Sequence, residues 1–71
     1  MSSKAFRIII NGETRELTAP SSLAQLVSTL KLKPEQVAIE LNQVVIRRAS
    51  WESTMLKEGD RIEIVHFVGG G

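Results

Sequence analysis

The chain has 71 residues, nine Lys and Arg against eight Asp and Glu, one His and no Cys. That length holds a single domain; the missing thiols exclude a disulfide framework, a thiolate metal site and a cysteine nucleophile, and a lone His66 excludes a His-rich zinc site. A net charge of +1 gives no broad basic field for non-specific nucleic-acid binding.

Residues 6–10 read Phe-Arg-Ile-Ile-Ile, rich in the β-branched side chains that suit a pleated strand. Phe6, Ile8 and Ile10 share one face of that strand, Arg7 and Ile9 the other. Asn11-Gly12 follows at once and tolerates the positive φ angles of a type I′ hairpin turn. Residues 13–18 form the returning strand, whose mostly polar alternation marks it as an edge or solvent-facing strand. The pair Asn11-Gly12 reads as a turn and nothing more.

Ala19-Pro20-Ser21-Ser22 breaks the strand pattern. Ser22 with Gln25 three residues on matches a capping box, in which each side chain satisfies an orphan amide of a helix start. Leu23, Leu26, Val27 and Leu30 then fall on one helical face. The helix is expected to end near Lys31, where a cation suits the helix dipole, with Pro34 closing it off. Val37, Ile39 and Leu41 alternate with Ala38 and Glu40 as a further strand. Asn42-Gln43 turns the chain into a short strand over residues 44–46. Residues 47–57 lack periodicity and read as a loop with one helical turn near Trp51. Glu58-Gly59-Asp60 reads only as a turn, and residues 61–68 form the last strand. There is no internal repeat and no linker before the closing Gly69-Gly70-Gly71.

The order is hairpin, helix, then two or three strands. One amphipathic helix across one face of a sheet meets the two-layer rule. The strongly apolar first and last strands belong at the sheet centre. The expectation is an α+β fold of β-grasp (ubiquitin-like) type, with a mixed four- to five-stranded sheet, the domain spanning residues 1–68 and a flexible glycine tail residues 69–71. The hydrophobic content of 42% is enough for a small core. A chain this short buries only about 60% of its unfolded surface, so that core must be regular or helped by a partner. No apolar run nears the roughly 20 residues of a membrane span. The first residues lack a secretory apolar region, so no membrane role and a cytoplasmic location are expected.

The glycine tail has two readings. One is a frayed end or a cloning remnant. The other rests on what glycine permits: without Cβ atoms, the tail can pass through a slot too narrow for any side chain. Residues 68–71 could reach about 13 Å beyond the sheet, enough to feed the Gly71 carboxylate into another protein's active site. The last strand favours this second reading. If Ile62 and Ile64 face the helix, Val65 and Phe67 lie on the open face of the sheet just before the tail. With Val68, they form a candidate docking patch; the bland alternative is that loop residues cover them. His66 reads as structural or solvated, Trp51 as the anchor of a satellite core, and Arg47-Arg48 as a surface pair able to steer docking.

Taken in order, Ile9-Ile10-Asn11-Gly12-Glu13, Ser22 to Val27, Val37 to Asn42 with Val44-Val45, Arg47, Trp51, Leu56 to Val65 and Phe67 to Gly71 carry a resemblance. The chain resembles the ThiS family, the ubiquitin-like sulfur carriers of thiamin biosynthesis, over nearly its whole length. It departs at Ile46, where that family often has Pro. The resemblance implies that a ubiquitin-activating-like adenylyltransferase adenylates the Gly71 carboxylate with ATP and Mg²⁺, both held by that partner. Sulfur from a cysteine desulfurase would then displace AMP to leave a thiocarboxylate, which thiazole synthase would consume. Gly69 and Gly70 would enter the partners' active sites. Such a chain is a co-substrate, not an enzyme; it binds no cofactor or metal and has no catalytic side chain. It carries no P-loop. Three alternatives stay open: the small subunit of molybdopterin synthase or another thiocarboxylate carrier, a ubiquitin-like protein modifier, and a plain interaction or RNA-binding module with a passive tail.

Overall fold

In the computed structural model, residues 5–67 are described. Strands β1 (Phe6–Ile10) and β2 (Glu13–Leu17) form the expected hairpin. Its two-residue turn holds Asn11 at φ 48° and Gly12 at φ 84°, the left-handed angles of a type I′ turn. Helix α1 (Leu23–Thr29) follows, then a 3₁₀ turn (Pro34–Gln36), β3 (Val37–Leu41) and β4 (Val44–Val45). A second 3₁₀ segment (Arg48–Ser53) precedes β5 (Arg61–His66). The five strands pair in the order β2-β1-β5-β3-β4. β1 and β5 run parallel, and every other pair is antiparallel. The sheet is therefore mixed, with β5 at its centre and β2 at one edge.

Helix α1 has seven residues. A helix that short does not hold in water alone, so its ends and its buried face must carry it. The capping box is present: the Gln25 amide donates to Ser22 Oγ at 3.1 Å, and the Ser22 amide donates to Gln25 Oε1 at 2.9 Å. The helix ends close to Lys31 as expected, but not by the expected mechanism. The helix stops at Thr29, Leu30 caps it, and Lys31 sits beyond it at φ 61°. The Lys31 amide donates to Ser28 O and the Leu32 amide to Val27 O, both at 3.0 Å. These two bonds make a Schellman motif, a geometry that glycine adopts without strain. Lys31 thus terminates the helix by its backbone, not by placing its cation in the last turn. Leu23, Leu26 and Val27 are buried against Ile8, Ile10, Val37, Ile39, Ile62 and Ile64. These are the residues that strand alternation assigns to one face.

Several boundaries move. β2 ends at Leu17, β4 at Val45 and β5 at His66. Ile46 still donates its amide to Ile39 O at 3.0 Å, a bond that Pro could not make. The helical turn expected near Trp51 is present as a six-residue 3₁₀ stretch. Its Trp51 is 3% exposed and belongs to the main core, not to a satellite. Trp51 Nε1 donates to Ile46 O at 2.9 Å, which satisfies the indole while its rings pack inside.

Candidate functional site

Helix α1 covers one face of the sheet and leaves the other open. Register assigns each open-face residue. Arg7 and Ile9 of β1 lie opposite Glu16 and Thr14 of β2. Arg61, Glu63 and Val65 follow along β5, opposite Asn42, Glu40 and Ala38. Val45 of β4 stands beside Glu40. Val65 is 52% exposed and Phe67 55% exposed, so among the described residues no loop covers the predicted docking pair. The Phe67 amide donates to Gln36 O at 2.9 Å, which keeps the chain beside β3 to this point. Phe67 also borders a groove along the β3 edge with Pro34, Ala38, Val45 and Arg48. The open face near the end of β5 therefore carries an apolar patch of Ala38, Val45, Val65 and Phe67.

Val68, Gly69, Gly70 and Gly71 lie outside the described residues, so the remaining docking residue, the tail and the modification site are not placed. His66 is exposed, as are Arg47 and Arg48. Among the described residues no cluster of three or more His, Asp or Glu is arranged to hold a metal ion. No helix among them is long and apolar enough to cross a membrane.

Two readings of the turns are corrected. Asn11 does more than turn the chain. Beyond Ile62, β1 has bent into its hairpin and offers β5 no further backbone partner. The Asn11 side chain takes its place: the Ile64 amide donates to Asn11 Oδ1 at 2.8 Å, and Asn11 Nδ2 donates to Ile64 O at 3.2 Å. One side-chain amide thus imitates a strand residue.

Asp60 likewise does more than turn. It is 3% exposed. Its Oδ2 accepts the Lys57 amide at 2.9 Å and its Oδ1 accepts Asn42 Nδ2 at 3.1 Å. Asn42 Oδ1 in turn accepts the Arg61 amide at 3.0 Å. A buried carboxylate with both oxygens engaged holds the start of β5 to the β3–β4 turn. The choice of Asn over Asp before Gly12 was the one sequence signal for the first clamp, because only an amide both donates and accepts. Asp60 and Asn42 had no such signal, since their meeting depends on strand register.

The ThiS family model matches residues 8–71. The chain is 42% identical over 65 residues to a thiazole synthase of Magnetococcus marinus, covering 92% of this chain and 20% of that protein. It spans only that fifth of the thiazole synthases it matches. It is 36% identical over 50 residues to the sulfur carrier protein ThiS of Bacillus subtilis, covering 70% of this chain and 76% of that one. The crystal structure of a thiamine biosynthesis protein (ThiS) from Geobacter metallireducens superposes with a TM-score of 0.80 at 32% identity, covering 93% of this chain and all of that one. With the mixed sheet and single helix of a β-grasp fold and a match that runs from β1 through the glycine tail, the chain belongs to the ThiS family.

Proposed function

We propose that this chain carries sulfur on its C-terminal carboxylate for thiamin biosynthesis and delivers it to thiazole synthase. One observation carries the reading above the others. Val65 of β5 and Phe67 just past it are exposed on the open sheet face, one residue short of the three glycines, and the family match extends through those glycines. The body gives a partner something to grip, and the tail gives it something to react with.

The chemistry follows from the inertness of a carboxylate. A Gly71 carboxylate oxygen attacks the α-phosphorus of ATP on a ubiquitin-activating-like adenylyltransferase, and pyrophosphate leaves. The acyl adenylate has a good leaving group, which is the logic of covalent activation. Hydrosulfide attacks the acyl carbon, the C–S bond forms, the C–O bond to AMP breaks, and a proton is released. The product is a thiocarboxylate, with no change of oxidation state at carbon. In the cell a cysteine desulfurase supplies the sulfur as a persulfide, and a thiol reductant gives the two electrons that bring it to the sulfide level. ATP and Mg²⁺ belong to the activating enzyme, and this chain acts as a co-substrate with no catalytic side chain. Ordering the tail costs on the order of 1–2 kcal/mol per residue, which contacts at the open face offset.

The test is intact-mass spectrometry after incubation with the activating enzyme, ATP, Mg²⁺ and sulfide. The expected result is the mass gain of one oxygen-to-sulfur exchange at the terminus. A chain lacking Gly71 should show none. No gain in the full chain, or an equal gain in the truncated one, overturns the reading.

A further inference from the structure

The apolar patch is not the whole of the open face. One row farther from the tail, Glu40 of β3 lies directly opposite Glu63 of β5, with Val45 on the far side of Glu40. The ladder fixes the kind of pair. The Phe67 amide reaches Gln36 O and the Asn42 amide reaches Arg61 O. Glu40 and Glu63 therefore form a hydrogen-bonded pair, with Cα atoms about 5.5 Å apart and side chains rising from the same face. Like charges directly opposite each other destabilise an antiparallel pair. They lie on the central strand and its neighbour, on the face open to water, with Glu40 half-buried and Glu63 exposed. The next row toward the tail is Ala38 opposite Val65. Two carboxylates thus abut the exposed apolar patch at the middle of an uncovered sheet. In the isolated chain, β-branched residues there would serve the fold better.

We propose that Glu40 and Glu63 form the charged half of the docking surface, and that they receive an Arg or Lys of thiazole synthase beside an apolar side chain seated on Val65 and Phe67. This rests on the carrier reading above and names the chemistry of the partner's contact. One partner cation between the two carboxylates replaces a repulsion with two attractions. The pair therefore contributes to association while weakening the free fold. It also sets the partner's orientation, because a cation can approach only from the open side.

That opposition of signs is the test. The double variant Glu40→Gln/Glu63→Gln keeps shape and removes charge. Its melting temperature should rise by a few degrees, from relief of a like-charge pair in a small domain. Its Kd for thiazole synthase of the same organism, measured by calorimetry with the full chain, should rise about tenfold at low salt. The gap between wild type and variant should shrink in about 1 M NaCl, where the Debye length is about 3 Å. An unchanged Kd, a weaker Kd accompanied by a lower melting temperature, or no binding by the wild type would each overturn the proposal. Glu63→Gln alone provides the same comparison if the double variant folds poorly. Failure of the carrier reading shows separately, as the absence of the thiocarboxylate mass gain in the wild type.

Discussion

Replacing Asn11 tests how β5 is held. In the native chain its side chain makes two hydrogen bonds to Ile64, at 2.8 and 3.2 Å, across 53 residues of sequence. Each net bond is worth about 0.5–1.5 kcal/mol, so losing both costs about 1–3 kcal/mol. Asn11→Gly isolates that loss, because φ 48° suits glycine. Asn11→Ala adds a left-handed penalty of roughly 1–2 kcal/mol. Asn11→Asp is the most informative. It keeps the turn and the bond from the Ile64 amide, but sets a carboxylate oxygen against Ile64 O. A proton on that carboxyl would restore the lost donor, so its folded-state pKa lies above the unfolded value. Such a group stabilises the fold below the unfolded pKa, and that stabilisation is lost as pH rises through the folded one. The deficit of Asn11→Asp against wild type should therefore be largest near pH 7 and shrink as pH falls toward about 4. Urea unfolding followed by the fluorescence of the single, buried Trp51 measures it directly. A deficit independent of pH, or an Asn11→Gly variant as stable as wild type, would refute the clamp.

Other expectations are read with the same unfolding assay. Lys31→Gly, at φ 61° in the Schellman motif, should stabilise by a few tenths to about 1 kcal/mol, and Lys31→Val should destabilise by more. Gln43, at φ 71° in the β3–β4 turn, should respond to glycine in the same direction. Asp60→Ala strips the Lys57 amide and Asn42 Nδ2 of their acceptor and should cost about 1–3 kcal/mol. Phe67→Ala should change stability by less than about 1 kcal/mol, since the ring is 55% exposed, while weakening partner binding by about 1–2 kcal/mol in a calorimetric titration. Loss of the fold by that variant would place Phe67 in the core and remove it from the docking surface.

What could be read in advance was local. The Asn11-Gly12 turn, the Ser22–Gln25 capping box and the stripe of Leu23, Leu26 and Val27 depend on residues at most four apart, and the structure holds all three. Alternation placed Val65 and Phe67 on the open face because the period of a strand is two wherever its partners lie. The sequence does not show how Lys31 ends the helix, because two mechanisms end helices near a lysine. A cation in the last turn and a left-handed residue just past it look alike in one sequence. Trp51 lies deeper than its neighbours in sequence suggest, because nothing local shows that a 3₁₀ segment tucks against α1. The Asn11–Ile64 and Asp60–Asn42 contacts, and the opposition of Glu40 to Glu63, are products of register between strands far apart in the chain. Their residue types are ordinary for turns and surfaces, so only the fold gives them meaning.

Register also links these clamps to function. A one-residue slip of β5 would exchange its faces, sending Val65 inward and Ile64 outward. The core residues Ile62 and Ile64 resist such a slip by their burial. Yet toward its end β5 has β3 beside it while β1 has already turned away, so packing alone fixes it least where the docking surface lies. The Asn42–Asp60 pair holds the entry of the strand, Asn11 holds its middle, and the Phe67 amide on Gln36 O holds its exit. These points lie on alternate sides of the strand and act on the backbone. They leave the open-face side chains free for a partner and hold the backbone in place as far as Phe67. Under the proposed function, a carrier that reacts at its terminal carboxylate needs its docking face held in place more than it needs a large core, because a partner would find the tail by first finding the face. On that proposal the clamps serve delivery of the carboxylate as well as stability. It follows that Asn11→Gly should slow thiocarboxylate formation at temperatures where the domain is still fully folded, and a rate equal to wild type under those conditions would separate the clamp from the chemistry.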